Sequence, residues 1–273
     1  MDVEESVLRV LEQATHTGNR RALALCYNAL GSVQYLLGRW HQAQDALEKS
    51  IEYAESVGAI FGEVLGAQRL ALLETRLGQF DIAYDRLLRA LEVARASDSA
   101  MVQGHSIIRI LTTLALNRFE RGDLDNAIQY LAEGFTVQTT WGDCSSCDAL
   151  LYPVAVPIYL ASGDINQAVR VSLKAEETAM AFRSNAWTAD ARYLRGLTAL
   201  AQNNSELAEE CFRQALQIFE SLDQPYDVAR CLEALMSASG VSDQRVDDDA
   251  AGRMKDRIEN IYRYLRRNLT LRT

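Results

Sequence analysis

The chain has 273 residues, with 28 Lys and Arg against 37 Asp and Glu for a net charge of −9, and 48% of it is hydrophobic. This balance excludes a disordered chain, a collagen and a disulfide-stapled miniprotein, and the acidic total argues against direct nucleic-acid binding. The apolar stretch Ala149 to Gly163 is 15 residues long and holds two prolines, too short and too interrupted to span a bilayer, so no membrane partner is expected.

Residues 1–21 read as a capping helix, with Val7, Leu8, Val10 and Leu11 on one side before Gly18. Asp2, Glu4 and Glu5 stand where an export leader would be basic. The five cysteines, Cys26, Cys144, Cys147, Cys211 and Cys231, form an odd set without framework spacing, which fits a reducing compartment. A cytoplasmic location is therefore expected.

Residues 22–240 repeat. A turn residue is followed five places later by Ala in Gly38/Ala43, Gly78/Ala83, Gly122/Ala127, Gly163/Ala168 and Asn203/Ala208, at spacings of 40, 44, 41 and 40 residues. Gly or Asn suits the left-handed residue that closes a helix, and Ala lets the next helix lie close. Nine residues past the turn come Leu47, Leu87, Leu131, Ser172 and Phe212; twelve past come Ser50, Ala90, Gly134, Ala175 and Ala215. The apolar period is helical throughout, and no alternation long enough for a sheet is visible.

This pattern resembles the tetratricopeptide (TPR) repeat, most closely in Leu30-Gly31 with Gly38, Trp40, Ala43 and Leu47. The third and fourth units carry Ala115 and Val156 where the first has Gly31, and the fifth restores glycine at Gly196. Units longer than usual resemble the sensor region of MalT-like bacterial regulators. The resemblance implies an all-α, right-handed superhelical solenoid of about five to six units with capping helices.

Val228 to Met236 reads as the first helix of an incomplete sixth unit, and Gly240 to Asp249 as a polar break. Residues 241–273 then end in a basic helix: Arg253 to Thr273 carries seven basic residues against Asp256 and Glu259, a net of +5, which leaves −14 for residues 1–252. Met254, Ile258, Ile261, Leu265 and Leu269 form one apolar stripe on it. Capping of the preceding helix is expected over self-association, giving a monomer or a weak homodimer.

Catalytic constellations are missing from the pattern. His16, His41 and His105 fall in different units or the cap, none in a recognisable pairing with Cys or Ser, and there is no phosphate loop or dinucleotide fingerprint. No enzyme and no cofactor are expected. Cys144-Ser145-Ser146-Cys147 could supply two corners of a zinc tetrahedron or a redox pair. Zinc would need two more ligands, and the local segment offers only Asp143 and Asp148, so the motif reads as a polar turn and no metal is expected. Pro153 and Pro157 could kink the fourth first helix and open a pocket, or be a tolerated distortion.

The resemblance implies that the first helix of each unit lines a concave groove. Carried onto this chain, the inward positions are Leu25, Asn28, Ser32, Tyr35 and Leu36; Leu65, Gln68, Leu72, Thr75 and Arg76; Arg109, Thr112, Leu116, Phe119 and Glu120; and Asp190, Tyr193, Leu197, Leu200 and Ala201. Arg76 and Arg109 suggest a bidentate hold on a carboxylate, and Tyr35, Phe119 and Tyr193 supply flat apolar area. The alternative for Arg76 is a pair with Glu120. The function expected is recognition of a protein or peptide partner, acidic in character, in bacterial signalling or transcriptional regulation; the alternative is a small-molecule sensor domain.

Overall fold

All five repeat turns close as the pattern requires. The structure, a computed structural model, describes residues 3–142, 144–239 and 248–267. In it Gly38, Gly78, Gly122, Gly163 and Asn203 have φ of 72°, 75°, 88°, 83° and 60°, the left-handed region that Gly enters freely and Asn tolerates. Among the described residues there are thirteen α-helices and no strand. They are α1 (Val3–Thr17), α2 (Arg20–Leu36), α3 (Trp40–Glu55), α4 (Ile60–Arg76), α5 (Phe80–Arg95), α6 (Ile107–Glu120), α7 (Leu124–Trp141), α8 (Ser145–Ala161), α9 (Ile165–Phe182), α10 (Asn185–Ala201), α11 (Ser205–Ser221), α12 (Pro225–Ala238) and α13 (Asp248–Arg267). A π-helical turn, Val102–Ser106, runs directly into α6. No described helix is long and apolar enough to cross a membrane.

Side-chain size sets the spacing within each hairpin. Ala43, Ala83, Ala127, Ala168 and Ala208 are all 0% exposed. A Cβ on Gly31 would stand 2.7 Å from Leu47 Cγ, and one on Gly196 only 2.4 Å from Phe212 Cε1. Both glycines therefore admit the bulky residue of the second helix. N-termini are capped where the sequence offers a short polar side chain: Ala22, Asn126, Gln167 and Leu207 donate their N–H groups to Asn19, Asp123, Asp164 and Asn204. Each such cap stabilises its helix by about 1 kcal/mol.

The chain divides into two compact units, residues 1–147 and 148–273. In the first, Val64, Ala71, Leu87, Leu91, Ile110 and Leu114 form a core shared by α4, α5 and α6. Helix α1 packs through Leu11 and Ala14 on Leu23 and Cys26, and Glu4 accepts two hydrogen bonds from Arg39 at 2.7 and 2.9 Å. Leu8 and Val10 of the expected apolar side are exposed, because the packed face is centred on Leu11 and Ala14, which leaves Leu8 at its margin and Val10 beyond it.

In the second unit Phe219, Val228, Cys231 and Leu232 form a core onto which Met254, Ile258 and Ile261 of α13 pack. Leu265 is fully buried, and Arg257 pairs with Glu220 at 2.5 Å. The apolar stripe of the basic helix thus covers α12; Leu269 lies outside the described residues, as do Asp143 and most of the polar break. Helix α8 continues through Pro153 and Pro157. The hollow beside Pro153, lined by Tyr152, Ala175, Thr178 and Trp187 among others, has room for about 10 Å³, which is no more than one water molecule.

Candidate functional site

Stacked units bring residues about one repeat apart into contact, and the polar side chains of α2, α4 and α6 follow that rule. Gln68 Nε2 donates to Thr113 Oγ1, 45 residues on, at 2.7 Å. Asn117 Nδ2 donates to Thr75 Oγ1, 42 residues back, at 3.0 Å. Arg69 Nη1 donates to the Asn28 carbonyl, 41 residues back, at 3.2 Å, and also to Asn28 Oδ1 and Ser32 Oγ. Asn28, Gln68, Thr75 and Thr112 are buried, and Thr112 Oγ1 donates to its own helix at Ile108. Of the expected groove positions, these four face the protein interior, where short polar side chains join or fill the space between successive first helices.

The two arginines singled out from sequence do not converge. Arg76 pairs with Glu120, one repeat away, which is the alternative read for it. On α6 the residue level with Arg76 is therefore Glu120, eleven positions beyond Arg109. At 1.5 Å rise per residue that is roughly 16 Å along the helix, too far for one carboxylate to bridge. Tyr35 stacks on Trp40 at 6.2 Å with the rings 9° apart, and Phe119 is half-buried.

Arg109 instead answers to Arg69, the neighbour of Gln68 that the positional pattern passes over. Both are half-exposed by area, yet burial pulls the pKa of each below the arginine range. Arg69 falls to about 10, first through burial and then through the positive charge of Arg109; Arg109 is lowered by burial, offset in part by Cys147 and Cys144. A side chain both crowded by protein and reached by solvent lies in a concavity. Arg109 Nη1 donates to the Ser146 carbonyl at 2.9 Å, and its Nε is buried with no hydrogen-bond partner among the described residues. Neither arginine has a carboxylate within 4 Å among the described residues. Elsewhere in the same unit the balance is complete: buried Glu74 is met by Arg86 at 2.7 Å.

His105 lies close to both arginines. It lies in the π-helical turn, its ring 5.9 Å from that of Phe61, and its pKa is lowered by burial, then by Arg109 and Arg69. Its Nδ1 stands 3.3 Å from Cys144 Sγ and 3.2 Å from Cys147 Sγ. The sequence reading of a histidine without a cysteine partner is corrected here, and the missed signal was the repeat itself. His105 precedes the two cysteines by 39 and 42 residues, either side of the 41-residue spacing from Gly122 to Gly163.

Tyr193 belongs to the second unit, in a cluster that is electrostatically closed. Its ring packs at a tilt of 50° against Phe212, centroids 5.6 Å apart, and lies 4.3 Å beneath the Arg230 guanidinium, while Arg230 pairs with Asp227 at 2.7 Å. Burial acts to lower the Arg230 pKa, but Tyr193 and Asp227 raise it well above the arginine range. Burial also raises the Tyr193 phenol.

Comparison with known families matches residues 5–239 to the MalT-like TPR region. A crystal structure of a Rap protein complexed with competence and sporulation factor is similar at a TM-score of 0.71 and 15% identity, over 97% of this chain and 71% of that one. The crystal structure of BtubC (BKLC) from P. vanneervenii is similar at a TM-score of 0.55 and 18% identity, over 80% of this chain and 89% of that one. No curated protein matches. At these identities the structural likeness speaks for the helical-repeat fold.

Proposed function

This chain belongs to the MalT-like TPR family, and we propose that it is a non-enzymatic recognition module that holds an anionic group of a peptide or protein partner between Arg69 and Arg109. The observation that carries this reading is the pair of crowded guanidinium groups without a carboxylate among the described residues. A buried charge is ordinarily paired, because desolvation without compensation costs several kcal/mol. A carboxylate arriving with the partner would supply the missing charge and could take two N–H bonds from a guanidinium fork.

Two further observations support a chain rather than a metabolite. The hollow beside Pro153, where a small-molecule site was the alternative, holds about one water. The similar Rap structure is complexed with competence and sporulation factor, so a protein alike in fold is known with a bound factor, which supports reading this chain as a recognition module in bacterial signalling or regulation.

The test is a fluorescence-polarisation screen of short peptides, each made once with acidic side chains and a free C-terminus and once with the corresponding carboxamides. Binders that depend on the carboxylate and weaken in both Arg69→Met and Arg109→Met are expected. Absence of any carboxylate-dependent binder, or binders indifferent to both substitutions, would remove the proposal.

A further inference from the structure

We propose that His105, Cys144 and Cys147 form a metal site for a thiophilic divalent cation, zinc foremost, with three protein ligands and the fourth position left to a small exogenous donor. The three ligand atoms lie within 4.8 Å of one another, and among the described residues no fourth His, Cys, Asp or Glu joins them. Both sulfurs are 3.2–3.3 Å from the same ring nitrogen, His105 Nδ1. With Zn–S of about 2.3 Å and Zn–N of about 2.0 Å, a tetrahedral ion holds sulfur and nitrogen roughly 3.5 Å apart, so the nitrogen is already near its place. The sulfurs, 2.7 Å apart, must separate to roughly 3.8 Å on the same bond lengths.

The surroundings allow that movement on one side and hold the other. Cys147 is fully buried in the first turn of α8, whereas Cys144 precedes the helix and is half-exposed. Rotation of Cys144 opens the pair toward solvent, the side on which a fourth donor would enter. Two thiolates and an imidazole are the donor set of zinc, not of magnesium or calcium, which take oxygen ligands. The divalent ion itself neutralises the two thiolates, so Arg109, which donates to the Ser146 carbonyl between the cysteines, is not needed as their counter-charge. The ion would tie the π-helical turn before α6 to the start of α8, and this inference is independent of the recognition proposed above.

The test uses the full chain, reduced and desalted, titrated with Zn²⁺ against a colorimetric chelator and, separately, with Co²⁺. One Zn²⁺ per chain is expected, together with a thiolate-to-cobalt charge-transfer band of tetrahedral type. Of the five cysteines, two should become protected from a thiol reagent on adding Zn²⁺. Cys144→Ser and Cys147→Ser should lose stoichiometric binding, and His105→Ala should weaken it at least about tenfold. The protection measurement on the unaltered chain stands even where a variant fails to fold. Sub-stoichiometric zinc, binding unaffected by Cys144→Ser, or recovery of Cys144 and Cys147 as a disulfide in the presence of excess Zn²⁺ would overturn the proposal.

Discussion

Each compact unit carries crowded arginines on its first helices, and the two units treat them differently. In residues 148–273 Arg230 is paired with Asp227 and covered by Tyr193, so its charge is neutralised within the fold. In residues 1–147 Arg69 and Arg109 repel each other and have no carboxylate among the described residues, while Glu74 of the same unit does have its arginine. The same side chain is thus structural where its counter-charge is supplied by the chain, and under the proposed function it meets a ligand where it is not. The family resemblance selects Arg109 but passes over Arg69 and Arg230, so it does not express this difference.

Substitutions can break this contrast. Arg230→Met should have the largest effect, because it leaves Asp227 uncompensated: a loss of about 3 kcal/mol in urea-monitored unfolding, at the lower end for a buried pair. Gly196→Ala should follow at about 1–3 kcal/mol, since the added carbon meets the Phe212 ring at 2.4 Å and overpacks the hairpin. Arg109→Met should change stability by less than about 1 kcal/mol, or raise it, because removing an unpaired buried charge relieves a desolvation cost. A loss there as large as that of Arg230→Met would mean that Arg109 is structural too. Arg76→Gln should be smallest, below about 1 kcal/mol, since Glu120, whose side chain is 26% exposed, is still reached by water when its partner is lost and glutamine leaves an N–H donor on α4.

The repeat was legible because its determinants are local and recur. Left-handed turns, the fully buried alanines and the glycines facing Leu47 and Phe212 each follow from a residue type at a fixed offset. The inward set was less legible, for a reason of side-chain length. Asn28, Gln68, Thr75 and Thr112 are short and are used up between first helices, whereas Arg69 is long enough to leave its own register and reach the concavity. Arg76 and Arg109 are both inward positions by the repeat count but lie far apart along the helices, which a list of positions does not express. The His105 cluster is not legible in the residues beside the cysteines, because in a stacked fold a neighbour is one repeat away. In α1 the chain offers more apolar residues than one helical face can bury, so Leu8 and Val10 remain outside.

The most direct test of the contrast is the affinity of a carboxylate-bearing peptide, selected on the unaltered chain, for Arg109→Met, with Arg76→Gln and Arg230→Met measured in parallel on folded protein. Loss of one partner in a buried charge pair costs about 2–5 kcal/mol. The account predicts at least a tenfold weakening for Arg109→Met and none beyond twofold for Arg76→Gln or for Arg230→Met below its unfolding transition. Equal weakening in all three, or none in Arg109→Met, would contradict it.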